Sequence, residues 1–175
     1  MRIREALPED AGPIARVHVD SWRSTYRDLL PESLLANLSV TQREAMWLRA
    51  ATAIQAGESH SCLYVVEDDR GRIIGFANAG PEREESAPFD SELYAIYLLA
   101  ECQSGGLGRR LVSRASDFLL KQGHSSMRVW VLKGNPAERF YERLGGVYYE
   151  EKVLDIGGQD YIEAAYGWDD IATLI

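Results

Sequence analysis

Hydrophobic positions along the chain change period several times, and each change marks an element. Arg2 to Leu7 reads as a short strand, and Pro8-Glu9-Asp10 is a helix-start signal. Ile14, His18, Trp22, Tyr26 and Leu29 then recur on roughly one helical face until Pro31. Thr41-Gln42-Arg43-Glu44 has capping-box form and predicts a second helix through about Ala56. From Ser61 the period drops to two. Cys62 to Glu67, the turn Asp68-Asp69-Arg70-Gly71 and Arg72 to Ala79 predict a hairpin. A loop with Glu82, Glu84, Glu85 and Asp90 leads to Glu92 to Leu99, a run apolar on both faces and therefore a central strand.

Leu107, Leu111, Val112, Ala115, Phe118 and Leu119 form the next helical stripe, with Gly123 as its stop, and Met127, Val129 and Val131 alternate as a strand. Asn135-Pro136-Ala137-Glu138 is a capped start for a helix that carries Ala137, Phe140, Tyr141 and Leu144 on one face and ends at Gly145. Two last strands, near Val147 to Leu154 and Tyr161 to Trp168, flank Gly157-Gly158. The apolar Tyr161 to Trp168 strand is the one expected to pair across a homodimer.

Between the central strand and the helix stripe lies Gln103-Ser104-Gly105-Gly106-Leu107-Gly108. A strand that enters a helix through a glycine-rich turn exposes unpaired backbone N–H groups at the positive end of the helix dipole, a setting suited to a diphosphate. Gly106 and Gly108 would let backbone approach the ligand, and Arg109 and Arg110 would add charge. Such turns also serve as plain connections into helices. No Gly-Lys-Ser/Thr follows and no Gly-x-Gly-x-x-Gly is formed, which disfavours nucleoside triphosphates and NAD.

With 175 residues and 46% hydrophobic content, the chain is long enough to bury one sizeable core, and a single domain over 1–175 is expected. A net charge of −8 argues against nucleic acid and against an anionic membrane, and fits a cationic substrate. The charged start Met1-Arg2-Ile3-Arg4-Glu5 and the lack of a long apolar run predict a soluble, cytoplasmic protein. Cys62 and Cys102 share no Cys-x-x-Cys spacing, and His18, His60 and His124 share no ligand spacing, so no disulfide and no metal are expected.

Two motifs now stand in order. The Gln103-x-x-Gly106-x-Gly108 run and Asn135-x-Ala137-x-x-x-Tyr141 with Gly145 resemble the two CoA motifs of the GNAT superfamily of N-acetyltransferases. The resemblance covers most of the chain and is weakest before Ser61. It departs at Ala100, where a proline is common, and at Gly146, where an aromatic is common. It implies an α/β fold with a mixed, mostly antiparallel sheet of about six or seven strands and about four flanking helices. It also implies transfer of an acetyl group from acetyl-CoA to a small-molecule or peptide amine in a ternary complex. Alternatively, the same fold serves as a non-catalytic acyl-CoA-binding or sensory domain.

Within that resemblance, backbone groups of Ile96 and Leu98 hold thioester and pantetheine by strand-like pairing. Backbone N–H groups from Gln103 through Ser104, Gly105, Gly106, Leu107 and Gly108 to Arg109 take the pyrophosphate, and Asn135 contacts the pantetheine. An alkyl amine of pKa about 10.4 is protonated at neutral pH, and freeing its lone pair costs about 4.6 kcal/mol. Glu92 is the expected base. Tyr141, a phenol that stays protonated at neutral pH, is the expected acid at the leaving sulfur. Trp22, Tyr26, Tyr94 and Tyr166 are the aromatic candidates for the acceptor pocket.

Overall fold

In the computed structural model, which describes residues 1–85 and 87–175, seven strands form one sheet in the order β1-β2-β3-β4-β5-β7-β6. The strands are β1 (Arg2–Glu5), β2 (Cys62–Glu67), β3 (Ile73–Pro81), β4 (Ser91–Leu98), β5 (Met127–Leu132), β6 (Val147–Ile156) and β7 (Gln159–Trp168). Among the described residues the α-helices are α1 (Ala11–Thr25), α2 (Glu32–Ala36), α3 (Val40–Gln55), α4 (Leu107–Lys121) and α5 (Ala137–Arg143). Every neighbouring pair of strands is antiparallel except β4 and β5. No helix among the described residues is long and apolar enough to cross a membrane.

The sheet is covered on both faces, and the side-chain period of β2 shows how. Cys62, Tyr64 and Val66 join the cluster under α4, while Leu63 and Val65 turn to the cluster under α1 and α3. The α4 stripe predicted from its periodicity, Leu107, Leu111, Val112, Ala115 and Leu119, is buried in the first cluster. Ile14, Ala15, Trp47 and Ala51 fill the second.

Three expectations need correction. The first helix stops at Thr25, and Tyr26 to Leu30 continue as turns in which Leu29 and Leu30 donate to the Tyr26 carbonyl. The helix expected to open at Thr41 is capped earlier: Ser39 Oγ accepts from the Gln42 N–H at 3.2 Å, and the helix begins at Val40. β7 lies between β5 and β6 with both edges paired, so it has no free edge for a second copy, and β6 is the edge strand instead.

His18 sits at the join between α1, α3 and β4. Its Nδ1 accepts from Trp47 Nε1–H at 3.1 Å, and its ring stacks on Tyr97 with centroids 5.0 Å apart. Burial lowers its pKa to about 3, and the Arg43 charge acts in the same direction. An unfolded chain protonates histidine near pH 6.5, so the stability due to neutral His18 is complete above that pH. It is lost at about 1.4 kcal/mol per pH unit as acid is added below it. His18→Gln should flatten the slope of unfolding free energy between about pH 6.5 and 5, measured by urea titration; a slope equal to wild type would place the acid sensitivity elsewhere.

Candidate active site

β4 and β5 are in register only where Glu92 faces Arg128. Beyond that point the two strands part, and the edge of β4 that faces β5 is open. Which backbone groups it offers follows from the pairing on its other side. Leu99 N–H donates to the Ile74 carbonyl at 3.0 Å, flanking the opposed pair Gly75 and Leu98. Leu98 is therefore a non-hydrogen-bonded position of the antiparallel ladder, and so is Ile96 two residues back. Both turn their backbone polar groups away from β3 and into the gap. The Leu98 carbonyl is already used, accepting from Ser21 Oγ at 3.3 Å and Gln103 Nε2 at 3.1 Å.

Below the gap the chain makes a 3₁₀ turn over Ala100–Cys102, so the turn forms without a proline at Ala100. Gln103 N–H is spent on the Ala100 carbonyl and its side chain on Leu98, so Gln103 fastens the turn to β4 and its N–H is not a free donor. Ser104 and Gly106 then adopt left-handed φ values of 67° and 76°. That conformation strains serine by about 1–2 kcal/mol and is unstrained for glycine. The N–H groups from Ser104 to Arg109 have no acceptor among the described residues, and the first backbone bond of α4 is Arg110 N–H to the Gly106 carbonyl at 3.1 Å. The result is a cluster of outward N–H donors at the start of a 15-residue helix.

The glycines divide their work. A side chain on Gly106 would meet nothing within 4 Å, so this face is open. A Cβ on Gly108 would come within 3.1 Å of Phe140 Cζ, so Gly108 lets α4 pack against α5 and is not a point of ligand approach. Arg109 and Arg110 also line a separate groove with Ser113, Arg114, Leu174 and Ile175. At Gly146, the space an aromatic would fill is taken by Trp168, which would lie 2.8 Å from a Cβ there and donates its Nε1–H to the Leu144 carbonyl at 3.0 Å.

α5 places Asn135 and Tyr141 on the other side of the gap. Asn135 is buried, and its Oδ1 accepts from Ala137 N–H at 2.9 Å, while Glu138 Oε1 accepts from Gly134 N–H at 2.6 Å. These bonds cap the helix. Tyr141 is buried against Trp168 and Tyr166, and its hydroxyl has no hydrogen-bond partner among the described residues. Burial, with Tyr97 beside it, pushes its pKa above the ordinary phenol value. Tyr26 is pushed the same way by burial, with Tyr97 and Tyr141 adding. The three phenols therefore share one neighbourhood and are all neutral.

Next to the gap is a cavity of about 370 Å³. Trp22, Tyr26 and Tyr94 line it as expected for aromatic acceptor contacts, together with Tyr97 and Trp130. Trp22 Nε1–H donates to the Tyr97 hydroxyl at 2.9 Å, and its ring meets Tyr26 edge-on. Tyr166 is not part of the lining. It faces α5, where its hydroxyl donates to Glu138 Oε2 at 3.0 Å.

Glu92 lines the cavity with its side chain 3% exposed, and both of its oxygens accept from Arg83: Nε to Oε2 at 2.9 Å and a terminal nitrogen to Oε1. The Arg83 guanidinium also lies 4.7 Å over the Tyr94 ring. Both carboxylate oxygens at the position expected of the base are therefore engaged by an arginine fork. Arg83, Tyr97, Trp130, Lys152 and Glu163 also belong to this lining and are not apparent from sequence. Arg83 sits in an acidic loop, and the others are single positions in apolar or alternating strands.

Comparison with known proteins agrees with this fold. The sequence profile described as the acetyltransferase (GNAT) family matches residues 21–146. The chain belongs to that family. Among curated relatives of this acetyltransferase, the uncharacterized N-acetyltransferase YuaI of Bacillus subtilis (strain 168) is 40% identical over 172 residues, spanning 98% of this chain and 95% of that one. The PaiA N-acetyltransferase of Thermoplasma acidophilum, solved with coenzyme A, shares the fold at TM-score 0.71 with 22% identity, covering 93% of this chain and 96% of that one. YncA of Salmonella typhimurium, solved with acetyl-CoA, does so at 0.70 with 21% identity, covering 96% and 92%.

The Arg83–Glu92 pair of the acetyltransferase gives a direct test. Arg83→Met leaves a buried carboxylate without its donors and should cost about 2 kcal/mol in urea unfolding. Adding Glu92→Gln should recover most of that loss, and a neutral Arg83→Met would show that the pair holds nothing.

Proposed function

We propose that the gap between β4 and β5 holds acetyl-CoA and that the enzyme passes its acetyl group to the amine of a small molecule or peptide in the adjoining cavity, by direct attack in a ternary complex. The observation that carries this reading is the parting of β4 from β5 directly above a turn of unpaired N–H groups. An extended pantetheine arm can pair with the open β4 edge at Ile96 while the diphosphate rests on Ser104 to Arg109. That relatives of the same fold were solved with CoA and acetyl-CoA supports it.

Acetyl-CoA supplies a thioester whose carbonyl carbon accepts the amine nitrogen as the C–S bond breaks. The residues of the chain do the rest. Ile96 backbone groups orient the acyl end, the glycine turn anchors the nucleotide end, and Asn135 fixes the start of α5 so that Tyr141 faces the gap. The acceptor loses its ammonium proton to solvent and attacks as the free amine; the Tyr141 hydroxyl then gives its proton to the departing sulfur and regains one from the amine nitrogen, so the products are an amide, a free thiol and the released proton. Its neutrality under burial keeps that proton in place at neutral pH.

Titration calorimetry with acetyl-CoA, with pantetheine alongside, tests the reading: saturable binding that pantetheine cannot match is expected, and its absence would overturn the assignment. Tyr141→Phe should lower turnover by about 10²-fold with acetyl-CoA affinity within a factor of about two of wild type. Gly106→Val should abolish acetyl-CoA binding in a protein that remains folded by circular dichroism, because the left-handed turn and its open face are both lost.

A further inference from the structure

Of the charged residues that line the acceptor cavity, one has no partner among the described residues. Arg83 is committed to Glu92. Lys152 turns its ammonium to Glu84 at 2.8 Å and over the Trp130 ring at 3.9 Å. Behind Trp130 the buried Arg128 pairs with Glu82 at 2.7 Å and Glu84 at 2.8 Å. Glu163 on β7 stands opposite Lys152 in the β6–β7 ladder, yet it has no hydrogen bond and no ion pair among the described residues.

We propose that Glu163 is the carboxylate that receives the ammonium of the acceptor, and that the acceptor is a monocationic amine with an apolar or aromatic body and no carboxylate of its own. This rests on the acyl-transfer reading above. A half-buried carboxylate without a partner is costly, and a cation is the ligand that relieves the cost. Burial holds the Glu163 carboxyl above its ordinary range, with the Glu92 and Glu84 charges acting the same way and Lys152 and Arg83 opposing them. The rest of the wall is apolar, from Leu30, Leu132, Leu154 and Ile156, and suits a hydrocarbon or aromatic body. Arg83 and Lys152, both already paired, leave no cation free for an acceptor carboxylate. Glu163 also lies within electrostatic reach of the phenols at the gap: burial raises Tyr97, and the Glu163 charge adds to that shift.

The experiment is calorimetric titration of the CoA-loaded protein with 2-phenylethylamine, its carboxylated counterpart phenylalanine and its uncharged counterpart 2-phenylethanol, for wild type and Glu163→Gln. Wild type should bind the amine at least about tenfold more tightly than either counterpart, and Glu163→Gln should lose at least about tenfold in amine affinity. Acetyl-CoA affinity should be unchanged by the substitution, and the melting temperature should not fall, since a carboxylate without a partner is removed. Failure of the amine to bind, equal binding of phenylalanine or 2-phenylethanol, or wild-type amine affinity in Glu163→Gln would each overturn the proposal. Failure of the acyl-transfer reading has a separate signature, namely a protein that binds no acetyl-CoA.

Discussion

The whole site depends on one interruption in the sheet. A parallel pair of strands normally continues its evenly spaced ladder for the length of the shorter strand. Here β4 and β5 meet in register only at Glu92 and Arg128 and then separate. The separation sets free an edge in the middle of a covered sheet, where an ordinary edge would be a hazard for aggregation. The helices manage that hazard. α4 rises from the end of β4 and α5 follows β5, so the two crossover segments flank the gap and put a helix N-terminus and a tyrosine beside it. Close approach of these helices needs Gly108, whose missing side chain admits Phe140. The glycine turn is thus two devices in one segment, an outward donor surface around Gly106 and an inward packing point at Gly108.

The electrostatics of the cleft follow from the same divergence. Strand residues that would face a neighbouring strand's side chains face a cavity instead, and their charges must be satisfied locally. Arg83 and Lys152 reach in from the loop and the edge strand to do so, each pairing with a glutamate. Pairs of this kind, in which at least one partner is exposed, add little net stability because solvent screens the attraction. Their effect is on geometry: they fix the cavity wall and leave Glu163 as the lining carboxylate without a partner among the described residues. The overall charge of −8 acts at longer range and in the same sense, favouring the approach of a cation.

Much of the fold and the backbone frame of the glycine turn were legible in the sequence, since they rest on local chemistry. The turn at Gly106, the capped start of α5 at Asn135 and the stripe of α4 each follow from spacing within a few residues, and each lies where it was expected. What was not legible depends on pairing over long distances. Nothing in Val147 to Trp168 says that β7 inserts between β5 and β6, and only that insertion brings Glu163 of β7 and Lys152 of β6 to the cavity. Glu92 was found as a residue, but its partner Arg83 lies in a loop with no periodicity to read. Tyr166 was placed on the wrong side because alternation along β7 gives two faces without saying which one meets the cavity.

The three phenols show how the apolar and polar halves of the site are joined. Tyr26 lies just past the end of α1, Tyr97 is on β4 and Tyr141 is on α5, so three separate segments deliver them to one place. Each is raised by burial, and the neighbouring phenols add to the shift of Tyr26 and Tyr141. A cluster of this kind resists ionisation, because charging one ring would place an anion in a poorly solvated space, a cost that outweighs the hydrogen bonds and the Arg43 charge that favour the Tyr97 anion. A phenol that stays neutral remains a donor at every pH near neutrality. The hydroxyls at the gap therefore stay protonated independently of solvent pH near neutrality, while Glu163 is a cavity carboxylate without a partner among the described residues.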